Sequence, residues 1–294
     1  MLKRAAAHLV LLLLAATVAA DAPRILILGD SIAYDGRWTT RVESALRNTP
    51  AYAHAEIINL ALPSETVNGL SEPGHARGMF PRPCLHDRLP SILRRTQPTI
   101  IVACYGMNDG LFQPLSPETF AAYKRGMERL VAAGKASGAR VIVLTPPLHG
   151  ADNTKTTPRD YDIVLDTFAG WLTSKELEGW EVVDIRPRLR ALIARERGAN
   201  PRFRFSQDNV HPDDRGHELL ADVVLEALWV RLKLPEAPQP GSVARQKILG
   251  EAQRQLKLAW LSEIGHKRPG IPKGLPLEEA SKKALLLRQD ASAL

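Results

Sequence analysis

The sequence predicts an α/β protein, a three-layer α/β/α sandwich around a five-stranded parallel sheet, followed by a C-terminal helical extension. Three observations predict it. Five short apolar runs recur along the chain, and stretches of helical periodicity separate them. The runs are continuously apolar rather than alternating, which is the pattern of strands covered on both faces. Strands that alternate with helices pair in parallel through right-handed crossovers.

The first run, 24–28 (Arg-Ile-Leu-Ile-Leu), ends at Gly29, and the others fall at 56–60, 99–104, 140–144 and 181–185. Helical stretches are expected at about 38–47, 85–96, 117–136, 159–178, 187–197 and 213–232. Aromatic residues make up only 5% of the chain, so the core is built from Leu, Val, Ile and Ala. Trp171, Trp180 and Trp229 suit packing positions. Residues 234–242, with prolines at 235, 238 and 240, read as a linker that closes a main domain over 21–233. Beyond it Leu249, Ala252, Leu256, Ala259 and Trp260 recur at helical spacing, predicting an amphipathic helix over 243–263. Pro269, Gly270, Pro272, Gly274 and Pro276 end that helix, and a second spans 277–289.

The formal net charge is +7 over 294 residues. Residues 1–20 hold Lys3 and Arg4 and no acid, and 243–294 hold ten basic and five acidic residues, which leaves the central region neutral. A neutral domain has no field for holding nucleic acid through its phosphates. The basic extension has two readings: Arg245, Lys247, Arg254 and Lys257 are the solvated face of a docked helix, or the extension contacts an anionic surface. The start of the chain has the pattern of an export signal: Lys3-Arg4, an apolar stretch around Leu9–Leu14, and Val18-Ala19-Ala20 before a cleavage point near Ala20. The mature protein is then periplasmic or extracellular; an uncleaved anchor is the alternative. Two cysteines, Cys84 and Cys104, are too few for a disulfide scaffold, and their pairing stays open. His75, His86, His149 and His217 are scattered without metal-ligand spacing, and no glycine-rich phosphate loop occurs, so neither a metal nor a nucleotide cofactor is expected.

Four stretches carry chemistry, each just after a predicted strand or just before the last main-domain helix. Gly29-Asp30-Ser31 puts a hydroxyl at a strand-to-helix turn, where Ser31 serves either as a helix N-cap or as a nucleophile beside backbone N–H donors. Asp208-Asn209-Val210-His211-Pro212 sets a carboxylate three residues from an imidazole, within one tight turn. Tyr105-Gly106-Met107-Asn108-Asp109-Gly110 offers an amide N–H₂ after a glycine that lets the backbone bend; it also reads as a plain turn. Asn59-Leu60-Ala61-Leu62-Pro63-Ser64-Glu65-Thr66 would bring a further backbone N–H to the same mouth.

Taken together and in this order, these blocks resemble those of the SGNH (GDSL-type) hydrolase superfamily over residues 24–232. The resemblance implies a flavodoxin-like sandwich and a serine ester hydrolase working through an acyl-enzyme. It implies Ser31 as nucleophile, His211 as base and then acid, and Asp208 as its orienting partner. It implies an oxyanion hole from the Ser31 and Ser64 N–H groups and the Asn108 side chain, with Asp30, Gly106 and Asp109 as structural support. Ser64 departs from the family, which commonly has glycine there. Serine supplies the same N–H but adopts a positive φ at greater cost. The loop 62–83, with Glu65, Glu72, His75, Arg77 and Arg82, and a second loop at 146–158 should border the mouth. Neither carries a long apolar stretch, which favours a short acyl group, such as acetyl on carbohydrate. The alternatives are a lysophospholipase or thioesterase, an acyltransferase, and a non-catalytic carbohydrate-binding protein on the same fold.

Overall fold

The computed structural model describes residues 22–150 and 160–294. The expected export signal and its cleavage point lie outside the described residues, as does most of the 146–158 loop. The elements, in order, are β1 (Arg24–Gly29), α1 (Ser31–Asp35), α2 (Arg37–Arg47), β2 (Glu56–Asn59), α3 (Leu89–Thr96), β3 (Ile100–Cys104), α4 (Pro117–Ala136), β4 (Arg140–Leu144), α5 (Asp160–Ser174), β5 (Glu181–Val183), α6 (Arg186–Ala199), α7 (Asp214–Arg231), α8 (Val243–Ile264) and α9 (Leu277–Ser292).

The five strands form one parallel sheet in the order β2-β1-β3-β4-β5. Leu26, Leu28, Ile101, Ala103, Ile142 and Val143 are wholly buried, as continuous apolar runs require when helices cover both faces. Each buried Leu or Ile contributes roughly 1.5–3 kcal/mol relative to exposure. Chain direction across the sheet reverses between β1 and β3, and the crevice for a ligand opens at the carboxyl ends of those two strands. The register pairs Gly29 with Cys104, so the loops leaving β1 and β3 start side by side.

Helices α2 and α7 pack together on one side of the sheet, while α4 and α5 meet through the stacked rings of Tyr123 and Phe168, 3.9 Å apart. Gly126 of α4 faces the loop after β2 so closely that a Cβ there would lie 2.3 Å from the Val67 carbonyl oxygen. Only glycine lets that loop and helix approach. Trp171 and Trp180 pack edge-on against each other. Trp229, by contrast, is 38% exposed; it sits in the last turn of α7, where its indole N–H donates to the Leu234 carbonyl. Cys84 and Cys104 are free thiols.

The extension is welded to the domain rather than appended to it. Helix α8 lies across α2 and the edge strand β2, and α9 packs on α8. Leu249, Ala252, Leu256, Trp260 and Leu261 are buried at this interface. A buried polar cluster crosses it: Gln253 accepts from Thr39 Oγ1 and donates to Glu43, and Glu43 pairs with Arg47 and with Arg288 of α9. Lys257 departs from the solvated-face reading. It is buried, with its ammonium over the Tyr34 ring and donating to the Tyr34 carbonyl.

Candidate active site

β1 delivers the chain directly into α1, a helix of five residues. Asp30, not Ser31, is the N-cap: its carboxylate accepts from the Ile32 N–H at 3.0 Å. Capping by Asp30 frees the Ser31 side chain, and Ser31 Oγ lies 2.8 Å from His211 Nε2. Burial pushes the Asp30 carboxyl up to about 6 against the opposing pull of the Ile32 N–H.

The histidine stands in a turn that the aspartate organises. Asp208 Oδ1 accepts from the Val210 N–H at 2.9 Å, the His211 N–H at 2.7 Å and the Ser206 hydroxyl at 3.1 Å. Oδ2 lies 2.7 Å from His211 Nδ1. Burial opposes the Asp208 charge, but the His211 side chain and the two backbone donors outweigh it and hold the carboxyl down to about 2. Asn209 sits at φ 68° inside this turn, a conformation Asn tolerates. Asp213 caps α7 on the Gly216 N–H, which fixes the far end of the turn, and the Gly150 N–H donates to the Asn209 carbonyl. Ser31, His211 and Asp208 thus form a continuous hydrogen-bonded row, from residues 180 apart in sequence.

The loop after β2 runs beside the serine turn, where the Leu62 N–H donates to the Gly29 carbonyl. Ser64 holds φ 68°, the left-handed conformation that the glycine-to-serine departure raised. Such a residue costs on the order of 1 kcal/mol or more and persists where its surroundings over-determine it. They do so here. Arg88 grips Glu65 with two bonds at 2.6 and 2.7 Å and the Leu60 carbonyl at 2.6 Å; the Tyr105 hydroxyl donates to Glu65 at 2.6 Å. Asp109 Oδ1 accepts from the Val67 and Asn68 N–H groups. Gly106, at φ 135° and with a would-be Cβ 2.9 Å from Pro146, turns the chain between β3 and Asn108.

Asn108 itself is buried. Its Nδ2 donates to the Glu65 carbonyl at 3.1 Å, which sets it beside Ser64. Its Oδ1 accepts from Arg82 Nη1 at 2.8 Å, and Glu72 clamps Arg82 through two bonds at 2.7 Å. The sequence showed Arg82 and Glu72 only as charges in a bordering loop. No spacing signal connects Arg82 to an asparagine 26 residues away. The row of Ser31, His211 and Asp208 can pass a proton from hydroxyl to imidazole and stabilise the resulting cation. The Asn108 amide and the N–H of Ser64, for which no described residue accepts, are donors for a developing negative charge.

Residues 27–219 match the model of the GDSL-like lipase/acylhydrolase family. The chain belongs to that family. Members of the GDSL-like family are acylhydrolases, and this chain is accordingly a serine carboxylic ester hydrolase. No curated protein matches its sequence. Solved structures with a similar fold include a catalytic variant of Axe2, an acetylxylan esterase from Geobacillus stearothermophilus (18% identity, TM-score 0.54, covering 70% of this chain and 94% of that one). AlAXEase, an acetyl xylan esterase, is similar at 15% identity and TM-score 0.55, over 70% and 99% of the two chains. LAE5, an α/β hydrolase enzyme from the metagenome of Lake Arreo, Spain, matches at 18% identity and TM-score 0.54, over 70% and 94%. Identities this low establish a common fold. The GDSL-like match ends before α8, so the extension is outside it.

Asp109 carries a prediction about stability. Burial pushes its carboxyl up to about 7, against two backbone N–H groups that favour the charge. A folded-state pKa raised above the unfolded value of 3.8 contributes stability that is present at low pH and lost as pH rises through 7. Thermal unfolding of Asp109→Asn between pH 4 and pH 8 should therefore fall less with pH than that of the unaltered protein. Parallel curves would rule the assignment out.

Proposed function

We propose that the protein is an exported serine esterase that removes short acyl groups, acetyl above all, from carbohydrate. Ser31 attacks the ester carbonyl while His211 takes its proton, Asp208 holding the ring in the required tautomer. The N–H groups of Ser31 and Ser64 and the Asn108 amide receive the oxyanion. His211 then protonates the leaving sugar oxygen, and water releases the acyl group by the same steps in reverse roles.

The observation that carries the reading is the Ser31–His211–Asp208 row at 2.8 and 2.7 Å, beside an amide whose orientation is chemically fixed. A guanidinium can only donate. By holding Asn108 Oδ1, Arg82 leaves Nδ2 as the group on the side of Glu65 and its neighbour Ser64. Support for the acyl length comes from the residues around that amide: Arg82 and Asn108 are buried and polar, surroundings that suit acetyl better than a fatty chain. Two of the similar structures are acetylxylan esterases, which supports a carbohydrate acetyl ester. Export rests on the pattern of residues 1–20.

Acetate release from acetylated xylan and other acetylated glycans, set against fatty-acyl lysophospholipids and thioesters, tests the substrate class. Turnover of acetylated glycan is expected, and hydrolysis of the lipid esters alone would overturn it. Arg82 is a positioning residue in this scheme. Arg82→Met should lower kcat on the order of 10² with little change in KM, and Arg82→Lys, which still donates, should recover part of the loss. A merely structural arginine would show no such recovery at equal thermal stability.

A further inference from the structure

Beside the catalytic turn lies a groove of about 750 Å³, walled by α1 and the start of α2, the first turn of α7, and α8. Its volume is within the range of small-molecule sites. It starts close to the chemistry. Tyr34, on its wall, is three residues past Ser31 in α1, roughly 4.5 Å along the helix axis. Arg37, also on the wall, donates to the carbonyl of Pro212, the residue after His211.

The charges in this groove do not balance. Its acids are engaged by arginines: Asp35 and Asp214 by Arg37, at 2.6 and 2.5 Å, and Glu218 by Arg215 at 2.5 Å. Arg41 and Arg254 are taken up by Asp222 and Glu251. Lys247 and Lys257 have no carboxylate partner among the described residues. Lys247 is exposed; Lys257 is buried, 4.0 Å above the Tyr34 ring. Burial pulls Lys257 down to about 8 against the attraction of Asp35, so it is still mostly charged at neutral pH.

His217, on α7, is the second observation. It is only 2% exposed and borders the groove, yet neither ring nitrogen has a hydrogen-bond partner. Nε2 lies 3.5 Å from Asp35 Oδ1. Burial lowers its pKa to about 4 despite that acid, so the ring is neutral and offers one donor and one acceptor, the complement of a hydroxyl. A buried polar group without a partner costs about 1–3 kcal/mol, and a hydroxyl-bearing ligand relieves that.

We infer that this groove binds an acidic stretch of the carbohydrate chain whose ester is cleaved, Lys247 and Lys257 meeting its carboxylates and His217 a sugar hydroxyl. The inference rests on the carbohydrate-ester reading for the sugar, and on the groove's own charges for the acid. It gives the extension, which lies outside the family match, a share in the choice of substrate.

The test uses the full chain carrying Ser31→Ala, titrated calorimetrically with tetragalacturonate and with neutral xylotetraose. The acidic tetramer should bind about tenfold more tightly, with affinity falling as salt rises. Lys247→Glu, an exposed change, should weaken tetragalacturonate about fivefold or more and leave xylotetraose, the control for an intact fold, unaffected. Equal affinity for the two tetramers, or no response to Lys247→Glu, overturns the inference. Binding needs no turnover, so the two readings fail separately. Glycan acetate release without acidic preference indicts the groove, whereas acidic binding without acetate release indicts the substrate assignment.

Discussion

Replacing Ser31 with alanine should lower esterase turnover by on the order of 10⁶ while the protein stays folded. The side chain contributes little packing: Asp30 carries the helix cap, and the Ser31 hydroxyl has His211 Nε2 as its partner. His211→Ala should cost about as much, and the double variant little more, because the two act as one unit and a base without a nucleophile has nothing to activate. Turnover of 4-nitrophenyl acetate measures the loss. Labelling by a fluorophosphonate, present in the unaltered protein and absent from Ser31→Ala, locates the nucleophile. Retention of full activity by either single variant would sink the assignment.

Asp208→Asn should lower kcat by about 10⁴ with KM nearly constant. The carboxylate accepts from His211 Nδ1 at 2.7 Å, which leaves Nε2 free to take the Ser31 proton. An amide presenting its N–H₂ to Nδ1 would favour the other tautomer, with the proton on Nε2 aimed at the hydroxyl. The remaining bonds to Oδ1, from Ser206, Val210 and His211, keep the turn in shape, so the loss reads out the tautomer and not a collapsed loop. Held at about 2, the Asp208 carboxyl stays charged in any usable buffer. Its stabilising effect is present above pH 4 and disappears only as pH falls through 2, so it does not shape the acid limb of the activity profile. A loss of less than tenfold in Asp208→Asn would remove Asp208 from the mechanism.

Both experiments address residues that stand out in the sequence because their partners are local or their blocks follow strands. Asp208 and His211 are three apart, and one turn joins them. Ser31 and Asn108 follow β1 and β3, whose apolar runs are plain, and parallel neighbours at a reversal of strand order must bring their exits together. The cost of placing serine at position 64 followed from the resemblance, which implies a position where glycine is common and adopts a left-handed φ more cheaply. Which residue caps α1 was not readable: Asp30 and Ser31 are both good capping residues, and the choice depends on how β1 hands the chain over.

Arg82 lay beyond sequence reasoning for a different reason. Its bond to Asn108 joins two loops, and long loops leave no periodicity from which a contact can be inferred. The same holds for Lys257. Helical spacing puts it beside the buried positions of α8, yet its burial comes from the Tyr34 ring and carbonyl, which only the docking of α8 supplies.

The linear order of apolar and polar residues was enough to establish the sheet, its parallel sense and most of the helices, because strand and helix periodicities are local properties that burial enforces residue by residue. The five-residue α1 is too short to show a period, and the helix expected from residue 85 begins as α3 at Leu89. The chemistry of the cleft came from the four motif blocks and their resemblance to a known family. What arose from folding was the set of pairings across distant segments: Arg82 with Asn108, Glu65 with Arg88, and α8 against α2 and β2. Those depend on distances in space between side chains whose separation along the chain carries no information about their meeting.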